Sequence, residues 1–67
     1  MSTLKYLLQM RSEADLFRIL RFEGCRAFGV RGIDKHDTKT MTVEIDDEDK
    51  FMFLRRVERF DGCATIQ

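Results

Sequence analysis

The sequence predicts an α+β domain whose elements follow the order β-α-β-β-α-β. Alternating apolar residues mark the strands, and apolar residues three and four positions apart mark two helices. A five-residue motif also recurs at the predicted end of each helix, as RFEGC at residues 21–25 and RFDGC at residues 59–63. This recurrence indicates two copies of one β-α-β unit folded around a shared core.

The first half begins with a predicted strand and continues into a helix. In residues 3–10 every second side chain falls on one apolar side of a strand. A helix remains an alternative there, because residues 4, 7, 8 and 11 would share one helical face. The first helix is predicted over residues 13–23, with Ser12 and Asp15 forming a capping-box-like start and Gly24 a left-handed end.

The middle of the chain is predicted to form a strand, a hairpin loop and a second strand. Residues 25–33 form the earlier strand, which Gly29 and Gly32 interrupt in the manner of a bulged edge strand. The polar residues 34–38 form the loop. Residues 40–45 form the next strand, in which apolar and polar side chains alternate.

The second half repeats the helix and ends in a short strand. Asp46 is predicted to cap the second helix, and the three acidic residues that follow favour its positive end. Gly62 ends the helix, and residues 63–66 form the last strand. The predicted buried side chains of this helix are Phe53, Leu54, Val57 and Phe60.

This order of elements resembles the ferredoxin-like fold over the whole chain, residues 1–67, as a single domain. The resemblance implies an antiparallel sheet with strand order 4-1-3-2 and both helices on one face. It concerns architecture only, and the fold hosts many unrelated functions.

Length and charge limit the classes of function. Ordering a chain costs about 1.5 kcal/mol of free energy per residue. This cost nearly cancels the stabilisation from the apolar surface that 67 residues can bury. Twelve basic residues balance twelve acidic ones, so no overall positive field favours nucleic acid or a membrane surface. No signal-peptide pattern and no long apolar stretch is visible, so we expect a cytoplasmic, reduced protein without a membrane partner.

The residues capable of chemistry do not form a recognisable catalytic or metal-binding motif. Cys25 and Cys63 would lie at opposite corners of the predicted sheet, beyond disulfide reach, and are each predicted to be small buried residues. His36, with Asp34 and Asp37 beside it, is interpreted as part of a solvated turn. We therefore expect no enzyme, no cofactor and no metal site.

Two charged surfaces remain as candidate partner-binding sites. One is an acidic turn at the start of the second helix, formed by Asp46, Asp47, Glu48 and Asp49. The other is the face of that helix turned away from the core, where arginines stand beside exposed apolar residues, a composition enriched at interface hot spots. Its members are Phe51, Met52, Arg55, Arg56 and Arg59.

These observations favour a small non-enzymatic interaction module that modulates or inhibits a larger protein or nucleoprotein. Compact phage and mobile-element proteins that block host machinery fit this description. One alternative is a regulatory domain of the ACT type that senses a small molecule as a homodimer, joined through the sheet edge around Phe28 and Val30. A second alternative is a nucleic-acid binder that uses the arginine-bearing helix faces, including Arg18 and Arg21.

Overall fold

The structure is a computed structural model that describes residues 2–21 and 29–67. Of Arg21 it describes the backbone but not the side chain. Its elements are β1 (Thr3–Gln9), α1 (Glu13–Arg21), β2 (Val30–Lys35), β3 (Thr40–Asp46), a short 3-10 turn (Asp47–Asp49), α2 (Lys50–Arg59) and β4 (Cys63–Ile66). The first segment is therefore a strand, as predicted, and not the beginning of a longer helix.

The four strands form one antiparallel sheet in the order β2-β3-β1-β4. Read from the other edge, this is the predicted order 4-1-3-2. The strand β1 is central and pairs with β3 along its whole length, from Thr3 opposite Asp46 to Gln9 opposite Thr40. The α+β class and the strand order are thus confirmed.

The core lies between one face of the sheet and both helices. Alternate side chains of β1 and β3 point into it, and the Tyr6 and Phe53 rings contact each other with centroids 5.6 Å apart. Burying one such large apolar side chain stabilises the fold by about 1.5–3 kcal/mol. The buried members are Tyr6, Leu8, Met10, Leu16, Ile19, Val43, Ile45, Phe53 and Val57.

The start of α1 agrees with the sequence prediction. Ser12 Oγ accepts a hydrogen bond from the Asp15 backbone N–H at 3.1 Å, and the Ser12 carbonyl accepts one from the Leu16 N–H at 3.1 Å. The predicted end of this helix at Glu23 and Gly24, together with Cys25 and Phe28 of the predicted second strand, lies outside the described residues.

The predicted cap of α2 by Asp46 is wrong. Asp46 is the last residue of β3, its side chain makes no capping hydrogen bond, and α2 begins only at Lys50 after the 3-10 turn. The Asp46 carboxylate instead accepts a hydrogen bond from Arg31 Nη2 at 3.1 Å. The Asp46 carboxylate therefore binds Arg31 on the neighbouring strand β2, although the local sequence predicts that it caps the helix.

The edge strand β2 carries the predicted bulge, between Gly32 and Asp34. The strand nevertheless continues to Lys35, which pairs with Met41, so the loop is shorter than the predicted residues 34–38. Within the described parts of the chain, no helix is long and apolar enough to cross a membrane.

The end of α2 is a Schellman motif whose left-handed residue is Asp61, with φ 58°, and the predicted end residue Gly62 follows it. The Asp61 N–H donates to the Glu58 carbonyl at 3.0 Å, and the Gly62 N–H donates to the Val57 carbonyl at 2.9 Å. Gly62 is required for a different reason. A Cβ at this position would overlap Sδ of the buried Met10 and lie 3.1 Å from Val57 Cγ1.

We therefore expect Gly62→Ala to lower the free energy of unfolding by about 1–3 kcal/mol, the usual cost of overpacking a core. Urea unfolding followed by circular dichroism would measure the change. Because the cause is contact with Met10, the same substitution should cost less in a Met10→Ala background. An equal cost in both backgrounds would contradict the packing explanation.

Candidate functional site

The predicted arginine-bearing face of α2 forms a shallow groove. Helical spacing places residues 52, 55, 56 and 59 along one side of the helix, opposite the buried Phe53 and Val57. The groove has a volume of about 170 Å³ and is open to solvent. We call it the arginine groove, and it is lined by Met52, Arg55, Arg56 and Arg59.

Two large apolar side chains are exposed where α2 begins. Phe51 is 74% exposed and Met52 is 57% exposed, whereas the next residue, Phe53, is fully buried. The Lys50 ammonium lies 5.3 Å from the centroid of the Phe51 ring, a cation–π distance. The start of α2 therefore presents apolar surface and positive charge together.

The guanidinium groups of Arg55 and Arg59 are exposed and form no ion pair or hydrogen bond within the described residues. Arg56 is half-buried. Both Arg56 and Arg59 belong to the last turn of α2, where a cation complements the negative end of the helix dipole. This interaction stabilises the positive charge of Arg56 and Arg59. It does not occupy the hydrogen-bond donors of Arg55 and Arg59, which remain exposed to solvent.

The acidic turn, in contrast, is largely engaged by the fold itself. Asp46 binds Arg31, and Asp47 lies 3.4 Å from the Lys50 ammonium. The Asp49 carboxylate accepts a hydrogen bond from the Gly29 N–H at 3.1 Å. These contacts hold the β3–α2 connection against the start of β2.

Three carboxylates of this turn are close together. Single oxygens of Asp46, Glu48 and Asp49 lie within 4.8 Å of one another. Since Arg31 and the Gly29 N–H already bind two of the three, the structure accounts for the clustering without a ligand. Arg31, which no sequence pattern marks as functional, also lies 3.6 Å from Glu44, its cross-strand partner.

The two candidate surfaces lie toward opposite ends of α2. At 1.5 Å of rise per residue, the separation of ten positions between Asp49 and Arg59 corresponds to about 15 Å. One compact ligand would therefore not contact both the acidic turn and the far end of the arginine groove.

Cys63 is exposed, so its predicted role as a buried packing residue is wrong. It pairs with Gln9, whose side chain lies on the face of the sheet away from the helices. Its Sγ lies 4.0 Å from Thr65 Oγ1 on the same strand. Cys25, the other member of the repeat, lies outside the described residues.

The loop around His36 is an ordered turn. Asp37 Oδ1 accepts a hydrogen bond from the Lys39 N–H at 2.7 Å, as expected for an aspartate that closes a turn. His36 Nε2 lies 2.8 Å from Thr42 Oγ1, and this hydroxyl donates to Gln67 Oε1 at 3.5 Å. The contacts bury Thr42 on the otherwise open face of the sheet, which strand alternation alone does not predict.

Comparisons with models of protein families, with curated proteins and with solved structures find no match for this chain.

The hydrogen bond from the Lys39 N–H lowers the pKa of Asp37 below its usual value. A lowered native pKa stabilises the fold above the ordinary carboxyl pKa, and this contribution disappears as pH falls through the native value. We expect the stability difference between the wild type and Asp37→Asn to be largest near neutral pH and to shrink in acid. Urea unfolding at a series of pH values would measure it, and a difference independent of pH would contradict the assignment.

Proposed function

We propose that this chain is a small non-enzymatic interaction module that binds an acidic surface of a larger protein through the arginine groove. The observation that carries the proposal is the combination, on one helix, of exposed Phe51 and Met52 with two exposed arginines, Arg55 and Arg59, that have no partner among the described residues. Arginine and large apolar side chains together are typical of interface hot spots. Acidic side chains of a partner would accept charge-assisted hydrogen bonds from the exposed guanidinium groups of Arg55 and Arg59.

The size of the groove favours a macromolecule over a small ligand. Ligand pockets usually enclose about 300–1,000 Å³, and the arginine groove is smaller and open. A stable protein interface covers about 800 Å² on each partner, against a total accessible surface of 4512 Å² here. A partner of that size would extend beyond the groove and cover Phe51 as well.

The acidic turn is the weaker candidate for the same role. Its exposed members are Asp47 and Glu48, and Asp47 already pairs with Lys50. We retain it as a second contact surface for a partner large enough to follow α2 along its length. It also disfavours nucleic acid as the partner, because a polyanion extending along α2 would meet these carboxylates.

The proposal includes three finer expectations. The arrangement of the sheet and helices supports assignment to the ferredoxin-like fold. The free, exposed thiol of Cys63 supports the expectation of a reducing compartment such as the cytoplasm. Modulation or inhibition of the partner, in the manner of compact phage proteins, is the outcome that we expect of binding.

Reversing the charge of both exposed arginines, as Arg55→Glu with Arg59→Glu, should abolish capture of the partner while leaving the domain folded. Like-charge contacts would replace two charge-assisted hydrogen bonds, each worth about 1.5–3 kcal/mol. Affinity capture from nuclease-treated native cells, quantified by mass spectrometry, would measure the loss. Thermal unfolding of the purified variant would verify its fold.

A matched control variant reverses two positive charges at positions outside α2. Lys5→Glu with Lys39→Glu alters two exposed basic residues outside α2 that also form no ion pair within the described residues, and it should leave capture unchanged. Equal loss in both double variants would indicate a general charge effect and contradict the assignment to the groove. A partner lost only on nuclease treatment would instead indicate nucleic acid.

A further inference from the structure

The two edges of the sheet differ in their protection against further pairing. The edge strand β2 has a bulge between Gly32 and Asp34 and carries charged side chains, including Lys35. Bulges and edge charges are common devices that prevent strands from adding to a sheet. The opposite edge strand, β4, has neither device. It has a regular register with β1 and reads CATI, without charge or proline.

The hydrogen bonding of β4 shows which of its backbone groups face outward. The Gln67 N–H donates to the Lys5 carbonyl of β1 at 2.9 Å. Since the direction of backbone groups alternates along a strand, Cys63 and Thr65 also face β1. The N–H and C=O groups of Ala64 and Ile66 therefore point away from the sheet. Among the described residues, no strand pairs with this edge.

We infer that β4 is a dimerisation edge, at which a second copy of this chain adds its own β4 antiparallel to the first. The two four-stranded sheets would then form one continuous sheet. A two-fold dimer requires a self-complementary surface, and an antiparallel strand pair meets this condition.

The outward groups define the register of the pair. If Ala64 of each copy lies opposite Ile66 of the other, all four outward groups of each copy form hydrogen bonds. The two-fold axis then passes between the two Thr65 residues, which face each other as a non-hydrogen-bonded pair. Threonine pairs of this kind stabilise antiparallel sheets. In the same register, Cys63 lies opposite Gln67 of the second copy.

Three properties of the chain favour a second copy as the occupant. The formal net charge is zero and β4 has no charged side chain, so two copies do not repel each other at this edge. Ile66 is 60% exposed and lies on the helix side of the sheet with Ala64, so the pairing would cover its apolar surface. A chain of 67 residues also gains from oligomerisation, because its own core is small.

The first experiment measures the oligomeric state of the full chain by sedimentation equilibrium. The wild type should dimerise, and Ile66→Pro should weaken the dimer by about tenfold or more, because it removes one outward donor from each copy. The Ile66 N–H faces away from β1, so the proline leaves the β1–β4 ladder intact. Ile66→Ala, which keeps this N–H, should weaken the dimer less than proline does.

Ile33→Lys is the control for the opposite edge, since Ile33 lies at the bulge of β2 and is 47% exposed. It should leave the dimer unchanged. A wild type that stays monomeric up to its solubility limit would overturn the inference. So would a dimer that survives Ile66→Pro and dissociates with Ile33→Lys.

The second experiment tests the register by cross-linking with oxidised glutathione. Thr65→Cys, in a background with Cys25→Ala and Cys63→Ser, should form a disulfide-linked dimer. A directly opposed pair has Cα atoms about 4.5 Å apart, within the range of a disulfide. Ala64→Cys in the same background should cross-link poorly, because residue 64 lies opposite residue 66. Efficient cross-linking at 64 and none at 65 would overturn this register.

Discussion

The packing of β1 against both helices is the interaction on which the rest of the structure depends. As one of the two central strands, β1 pairs with β3 on one side and β4 on the other. Its side chains Tyr6 and Leu8 enter the core, and so does Met10, which directly follows the strand. Leu16 of α1 and Phe53 of α2 contact the same layer. Because one layer of side chains joins all these elements, a change such as added volume at position 62 reaches the sheet directly through Met10.

The parts of the fold that depend on local periodicity could be predicted from the sequence. Alternation in β1 and β3, the helical spacing of Phe53 and Val57, and the Ser12 cap all appear in the structure as expected. The errors occur where a distant residue determines the local structure. Arg31 takes the carboxylate of Asp46 from the helix. The glycine at position 62 is explained by its close approach to Met10, whereas the left-handed residue at the helix end is Asp61. The repeated acid-Gly pair in the sequence does not reveal which of its two residues has which role.

The candidate site, like the fold, could be predicted from the sequence only where local geometry determines it. Helical geometry alone places Met52, Arg55, Arg56 and Arg59 together, and the structure brings them into one groove. Sequence could not rank this groove against the acidic turn, because the ranking depends on contacts between elements. The turn is held by Arg31 from β2 and by the Gly29 N–H, whereas Arg55 and Arg59 have no partner among the described residues. The exposure of Cys63 depends likewise on its register with β1.

Negative and positive side chains are separated along α2, and this separation favours some orientations of the protein toward a charged partner over others. Carboxylates gather before the helix and guanidinium groups along its second half, so side-chain charge is separated along α2 although the formal net charge is zero. In the field of a charged partner such a molecule experiences a torque before any contact forms. The effect acts within about a Debye length, roughly 8 Å at physiological ionic strength. Association would therefore begin from a restricted set of orientations, and its rate would fall as salt is added.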